Sequence, residues 1–417
     1  MKISDIKPEV FRMAEEAEKE IHEMFRRIDA VAERNTRKVM EAFQDNRVSD
    51  SCFAGTTGYG YDDLGRETLD KIYAQVFGAE AALVRINFVN GTHALTAAMF
   101  ATVKPGDTIL AATGMPYDTL RSAIGISGCC HGSLKFYGID YAQVDLRADG
   151  TPDIEGIKAA VSDKKVTAVM IQRSRGYEDR PALTVEQIGE ICAAIKSVDP
   201  SAVIMVDNCY GEFTDVIEPT DVGADLIAGS LIKNPGGGIA PTGGYIAGRK
   251  ELVDRAAMRL TTPGIGGECG STLGNNRLLY QGLFMAPHTV AQALKTAVFC
   301  AAMMKRLGIG SSPAADEKRS DIIQMIRLGS EENMRRFCLG IQAGAPVDSY
   351  VTPEPWAMPG YDCPVIMAAG AFIQGSSIEL SADGPVRPPY IAYMQGGLTY
   401  ESGKLGIMMA VSAMLDK

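Results

Sequence analysis

The apolar and polar positions of the chain follow two rhythms. Over residues 1 to about 50, Val10, Phe11, Met13, Ala14 and Ala17, then Ile21, Met24, Phe25 and Ile28, recur at helical spacing between charged residues. This predicts an amphipathic N-terminal helical arm that must pack on something. From about 80 to 250 the rhythm changes. Short apolar runs read as strands: "AALVRINFV" (81–89), "DTILAAT" (107–113), "VTAVMIQ" (166–172), "AVIMVD" (202–207), "LIAGSL" (226–231) and "GGYIAG" (243–248). Helix-patterned stretches such as Thr92 to Val103 and Thr184 to Ser197 lie between several of them. Continuous apolar strands separated by helices predict an α/β class, with a mostly parallel sheet covered on both faces. Past about residue 290 a long helix, "VAQALKTAVFCAAMMKRLG", precedes the strand-like segments "PVIMAAGAFIQ" and "SIELSAD". The expected organisation is an arm over 1–55, a large domain over 56–290 and a small C-terminal domain over 291–417.

Composition narrows the function. The formal net charge is −10 and the pI near 5.1, so there is no electrostatic footprint for nucleic acid or an anionic membrane. The opening "MKISDIKPEVFRMAEEAEKE" lacks the apolar core of a secretory signal, and no apolar run approaches the roughly 18 residues of a membrane helix. The nine cysteines are scattered without a CxxC pair, and there are four histidines, so neither a disulfide framework nor a metal site is expected. A reducing cytoplasm is the expected location.

In parallel sheets, ligands bind past the carboxyl ends of the strands. Polar chemistry gathers there. "GSLIKNPGGG" places Lys233 just past an apolar strand, with Ser230 before it and Gly236, Gly237 and Gly238 after it. Most lysines are surface charges. A buried lysine amine, however, loses its proton readily and attacks carbonyls. The glycines are expected to leave room for a cofactor or a neighbouring subunit. Asp207 ends a second apolar strand; it is either a helix cap or the acid partner of a ring nitrogen. Pyridoxal phosphate chemistry needs both such a lysine and such a carboxylate. Asn90-Gly91-Thr92-His93 opens a helix after a strand, a ready anion site, to which Ser230 could add a hydroxyl. Tyr117 is either an ordinary half-buried tyrosine or an aromatic cover and acid.

With Gly91-Thr92, Tyr117, Asp207, Ser230 and Lys233 in this order, the chain resembles the fold-type I pyridoxal-phosphate enzymes. The long strings "GTTGYGYDDLGRETL", "NGTHAL", "GMPYDTL", "VDNCYGEF", "GSLIKNPGGGIAPTGGYI" and "DGPVRPPYIAYMQGGLTYE" resemble the aluminium-resistance or methionine gamma-lyase-like carbon–sulfur lyases. The resemblance implies that Lys233 holds pyridoxal 5'-phosphate, Asp207 its ring nitrogen, and Gly91, Thr92 and Ser230 its phosphate, with Tyr117 stacked on the ring. Tyr59 corresponds to a tyrosine that better-known gamma-lyases lend to a neighbouring subunit's phosphate. Where those enzymes carry an arginine two residues later, this chain has Tyr61, with Arg66 as a substitute. "QRSRGY" replaces the usual Pro-Thr-Asn stretch near the cofactor hydroxyl, which makes Arg173 a substrate-binding candidate beside Ser174. Arg387 is the candidate clamp for a substrate carboxylate.

The expected reaction is elimination of a thiol from a sulfur amino acid, methionine or cystathionine-like, to give a 2-keto acid and ammonia. Lys233 would act as base and Tyr117 as acid or base. The alternatives are transamination or aldol cleavage with the same cofactor, or a non-catalytic stress-response protein that keeps the fold. A thiol enzyme using Cys209 or Cys129-Cys130-His131 is a further one. The arm and Tyr59 suggest a homodimer or a dimer of dimers.

Overall fold

The computed structural model describes residues 1–127, 131–163, 165–358 and 363–416. Cys129 and Cys130 lie outside the described residues. The chain runs α1 (Pro8–Asp45), α2 (Leu64–Val76), β1 (Ala81–Arg85), α3 (Gly91–Thr102), β2 (Thr108–Ala111), α4 (Asp118–Ile124) and β3 (Asp140–Gln143). It continues with α5 (Ile154–Val161), β4 (Val166–Gln172), α6 (Val185–Val198), β5 (Val203–Asp207), β6 (Leu226–Ser230), β7 (Gly244–Gly248) and α7 (Lys250–Leu260). The remainder is α8 (Asn276–Arg306), β8 (Ser311–Ser312), β9 (Ile323–Arg327), α9 (Glu331–Ala343), β10 (Val365–Ala369), β11 (Ser381–Pro385), β12 (Ile391–Gln395) and α10 (Tyr400–Leu415).

The six expected apolar runs each hold a strand. They join β3 in one seven-stranded sheet, ordered β1-β7-β6-β5-β4-β2-β3. The inner pairs are parallel, and β7 runs antiparallel to both β1 and β6. β4, β5 and β6 are almost wholly buried, which is why they read as continuous apolar runs. The chain crosses the sheet between β1 and β2 and returns strand by strand, so the carboxyl ends of β4, β5 and β6 lie side by side beneath the start of α3. A second, antiparallel sheet, β10-β11-β12-β9-β8, packs with α9 and α10 into a smaller unit.

Two expectations shift. The residue 290 boundary falls inside α8, a single 31-residue helix. "SIELSAD" contributes to β11 only from Ser381 onward.

The arm finds its partner within the chain. Val10, Ala14, Ala17, Ile21, Ile28, Val39 and Ala42 of α1 are buried. α1 lies along α8 and is held by Lys295–Asp29 at 2.5 Å, Arg306–Glu20 at 2.5 Å and Lys404–Glu18 at 2.7 Å. Asn35, buried on the same face, donates to the carbonyls of Phe213 and Asp215. Most of the apolar stripe is thus covered by this chain, while Phe11 and Met40 stay exposed. No helix among the described residues is long and apolar enough to cross a membrane.

Candidate active site

A cavity of about 210 Å³ opens at the carboxyl ends of β4, β5 and β6, and its lining includes Gly91, Thr92, Tyr117, Asp207, Ser230 and Lys233. The sequence places these six residues over a span of more than a hundred positions; the fold brings them to one wall. A larger groove, about 620 Å³, lies between α1, the end of α8 and residues 308–316. Its charged residues are mostly solvated ones such as Glu23 and Arg27, already within reach of each other at 3.6 Å, so it offers no comparable chemistry.

Lys233 sits one turn past β6, with its ammonium 4.0 Å from the centroid of the Tyr210 ring. Burial pushes its pKa down, but Tyr210, Cys209 and Asp207 outweigh burial and hold it above the usual lysine value. Asp207 ends β5 fully inside the protein, where burial raises its pKa against the opposing pull of Lys233. Its carboxylate accepts the backbone N–H of Cys209 at 3.1 Å. A buried carboxylate in this setting is favourable only beside positive charge.

The residues after each of these two groups are fixed from below. Asn208 accepts from Arg173 Nη1 at 2.7 Å and donates to Glu218 at 3.1 Å. Asn234 donates to the carbonyl of Glu212 at 3.0 Å, and Glu212 accepts from the Tyr245 hydroxyl at 2.9 Å. Tyr245 in turn receives a hydrogen bond from Asn208 at 3.4 Å. One buried network therefore orients both strand ends. Burial pushes the Glu212 carboxyl up to about 8, with Glu218 adding to the shift, so it is protonated at neutral pH.

The glycine run answers to packing. Gly237 has φ +57°, and a Cβ there would run into the carbonyl of Gly282 on α8; one on Gly238 would strike Leu398. The expectation that these glycines clear space for a ligand or another subunit is therefore corrected: the space is filled by this chain's own α8 and Leu398. Gly91 does serve the cavity. A Cβ there would approach Ser230 Cβ at 3.0 Å, so glycine lets the start of α3 close onto β6.

Tyr117 caps α4, and its backbone N–H donates to Gln172 Oε1 at 2.8 Å. Its ring lies 6.0 Å from that of Tyr177. Tyr59 is 73% exposed, stacked on Tyr61 at 5.5 Å, and does not line its own chain's cavity. Arg66 is buried and donates to the carbonyls of Gly60, Gly270 and Glu268 at 2.5, 2.9 and 3.1 Å. It anchors the loop that carries Tyr59, so it does not stand in as a free cation for Tyr61's position.

Arg173 requires a correction. It is fully buried and committed to Asn208, Glu218 at 3.3 Å and Thr214 at 3.1 Å. It belongs to the network under the sheet ends and does not line the cavity, so a substrate contact is closed to it. Arg175, two residues on, faces an adjoining cavity of about 370 Å³ together with Arg387. The two cavities share Tyr117, Gln172 and Gly176. Sequence reasoning missed Gln172, Tyr210 and Arg175. Their one available signal was position, at or just past a strand end. Cys209 lines the first cavity, but burial raises its thiol well above the usual value, which disfavours a thiolate nucleophile.

The residues present fit pyridoxal phosphate. Ser230 Oγ is buried without a hydrogen-bond partner beside the N-terminus of the 12-residue helix α3. Such a helix end and an open hydroxyl suit a phosphate. Asp207 is a buried acid and Lys233 a half-buried amine on the wall of one cavity, and Lys233 is the only cation among the described residues lining it.

The methionine gamma-lyase family model matches residues 10–415. The protein YnbB of Bacillus subtilis (strain 168) is 48% identical over 407 residues, covering 97% of this chain and 96% of that protein. The L-methionine gamma-lyase of Pseudomonas putida is 27% identical over 212 residues, 50% of this chain and 48% of that enzyme. Among solved structures, a carbon–sulfur lyase involved in aluminum resistance from Clostridium novyi NT superposes with TM-score 0.94 at 53% identity, covering 98% of this chain and 96% of that one. The pyridoxal-5'-phosphate-dependent protein YhfS of Escherichia coli, at 18% identity and TM-score 0.61 over 90% of this chain and 94% of that one, shares the fold.

Proposed function

From a chain that belongs to the methionine gamma-lyase family, we propose a pyridoxal-phosphate-dependent carbon–sulfur lyase that releases a thiol from a sulfur amino acid. The observation that carries this reading is the meeting of a half-buried lysine, a buried aspartate and an unpartnered serine hydroxyl in one cavity at the sheet's carboxyl ends.

Lys233 would hold the cofactor's aldehyde, Asp207 its ring nitrogen, and Ser230 with the backbone N–H groups of Gly91 and Thr92 its phosphate. Bound there, pyridoxal phosphate supplies an electron sink for the charge left at the substrate's α-carbon. The protein's part is placement and proton traffic. Lys233 Nζ would take the substrate's α-proton as general base. Asp207, whose pKa burial raises against the pull of Lys233, would accept the ring nitrogen's proton as a hydrogen bond once that positive charge is beside it; such charge-assisted bonds contribute roughly 1.5–3 kcal/mol. The Tyr117 hydroxyl, in the same cavity, holds a proton for the leaving sulfur. The network of Asn208, Asn234, Glu212 and Arg173 keeps Asp207 and Lys233 from drifting, and misplacement of about 1 Å would cost on the order of 100-fold. Arg387 lines the substrate side, where a guanidinium fork suits a carboxylate.

The test is product analysis with methionine, cystathionine, cysteine and threonine. Release of thiol, 2-keto acid and ammonia supports the lyase. A 2-keto acid with its sulfur retained points to transamination, and cleavage of threonine to an aldehyde points to aldol chemistry.

A further inference from the structure

Resting on the lyase reading, we propose that Arg175 is a second anion-binding residue of the site, and that the substrates are sulfur amino acids whose sulfur substituent carries its own acidic group. The cavity of about 370 Å³ beside the cofactor position is lined by Tyr117, Arg121, Arg175, Tyr177, Glu178 and Arg387, among others. Arg121 is already paired with Asp118 at 2.7 Å. Arg175 is 0% exposed, and its Nε, Nη1 and Nη2 all lack a hydrogen-bond partner. A guanidinium carries five N–H donors and stays charged, so leaving it buried without an acceptor is strongly unfavourable.

The nearby carboxylates give its guanidinium no hydrogen bond. The adjacent carboxylate, Asp321, is turned to other donors: Ser174 Oγ at 2.9 Å, the Arg175 backbone N–H at 3.3 Å and the Ile323 N–H at 3.1 Å. Glu178 accepts from Arg180 at 2.9 Å. Two further buried arginines stand close by: burial lowers the pKa of both, and Arg175's charge adds to this, as the second-largest cause at Arg319 and a minor one at Arg180, where Glu178 and Asp321 oppose it more strongly. Arginines outnumber carboxylates along this cavity, three to two, and the cavity shares Tyr117, Gln172 and Gly176 with the one that holds Lys233 and Asp207. A substrate with a single carboxylate, such as methionine, needs one guanidinium, and Arg387 meets that need. A second acidic group on the far side of the sulfur gives Arg175 the bidentate partner its geometry calls for.

The test compares two cysteine thioethers of nearly equal shape, S-carboxymethyl-L-cysteine and S-isobutyl-L-cysteine, together with their homocysteine counterparts, on the cofactor-loaded enzyme. Thiol release should favour the acidic thioether by roughly 100-fold or more in kcat/KM, because the neutral one leaves the buried guanidinium unpaired. In Arg175→Gln this ratio should fall to within about threefold, and Arg175→Lys should keep an intermediate preference. A ratio near one in the wild type, or a ratio that survives in Arg175→Gln, overturns the proposal. A second readout needs no turnover: glutarate should raise the melting temperature of the wild type more than butyrate does, and Arg175→Gln should lose that difference. Equal shifts in both proteins overturn the site. If the wild type releases thiol from none of the thioethers, the lyase reading falls, and the glutarate comparison still decides the role of Arg175.

Discussion

Two arginines stand two residues apart at the end of β4 and do opposite things. Arg173 points beneath the sheet ends, where Asn208, Glu218 and Thr214 surround it. Arg175 points to the cavity side with its guanidinium unpartnered. The same division runs through the whole site. Below lies a network in which each charged group has a partner within the chain, with Arg173 Nε, Glu212 Oε2 and Asn234 Oδ1 left over. Above lie the half-buried Lys233 and the buried Asp207, Ser230 and Arg175, of which Ser230 Oγ and the Arg175 guanidinium have no hydrogen-bond partner. Groups whose charges are paired within the chain hold the fold, and stranding one of them is costly, whereas a guanidinium with no partner on a cavity wall costs stability and is suited to a ligand. The comparison makes a rule: substitutions above the strand ends should damage chemistry and spare the fold, and substitutions below should do the reverse.

The largest effect is expected from Lys233→Ala, which should lower thiol release by roughly 10³-fold or more while the protein still unfolds cooperatively near the wild-type midpoint. Loss of folding instead would erase the distinction between the two layers. Asp207→Asn should cost roughly 10²-fold in kcat, since the ring nitrogen loses its ionised partner; steady-state kinetics with saturating cofactor read this.

Below the strand ends, Arg173→Ala should destabilise the protein by about 3–5 kcal/mol in urea unfolding, because Glu218 is left buried and unpaired. Glu212→Gln sharpens the same point through pH. The folded-state pKa of Glu212, about 8, lies above the ordinary glutamate value, so the folded protein holds this proton more tightly than the unfolded chain does. Its presence therefore makes stability fall as pH rises from about 5 to 8. The glutamine variant, which keeps an acceptor for Tyr245, should gain on the wild type over that window, by on the order of a few kcal/mol at its upper end, in melts taken across pH. The smallest effect is expected from Arg175→Met, whose unfolding free energy should stay within about 1 kcal/mol of wild type or rise, because no partner is stranded.

Much of this layout was legible in the sequence where burial was uniform. β4, β5 and β6 are buried on both faces and so read as unbroken apolar runs. β3, "DYAQ", is an edge strand with an exposed or half-buried pattern, and no run marked it. α8 was read only in its second half, because Gly282, Pro287 and His288 interrupt the apolar pattern of a helix that continues through them. At the site, Lys233, Asp207, Gly91, Thr92, Tyr117 and Ser230 all reach one cavity, since each sits directly past or opening an element whose type was clear. Arg173 and Arg175 were not separable from spacing. The strand ends at Gln172, and beyond it the chain turns, so alternation along a strand no longer says which way a side chain points. The glycines after Lys233 signalled close packing correctly, but the neighbour they accommodate, α8, begins some forty positions later and could not be read from the run itself.

The central claim is that Lys233 is the amine that holds the cofactor. Purified protein loaded with pyridoxal phosphate should be reduced with borohydride, digested and analysed by mass spectrometry. The account predicts the reduced cofactor on the peptide containing Lys233, with the visible absorbance lost on reduction and absent from Lys233→Ala. Attachment at a different lysine, or no attachment while thiol release persists in Lys233→Ala, would contradict it.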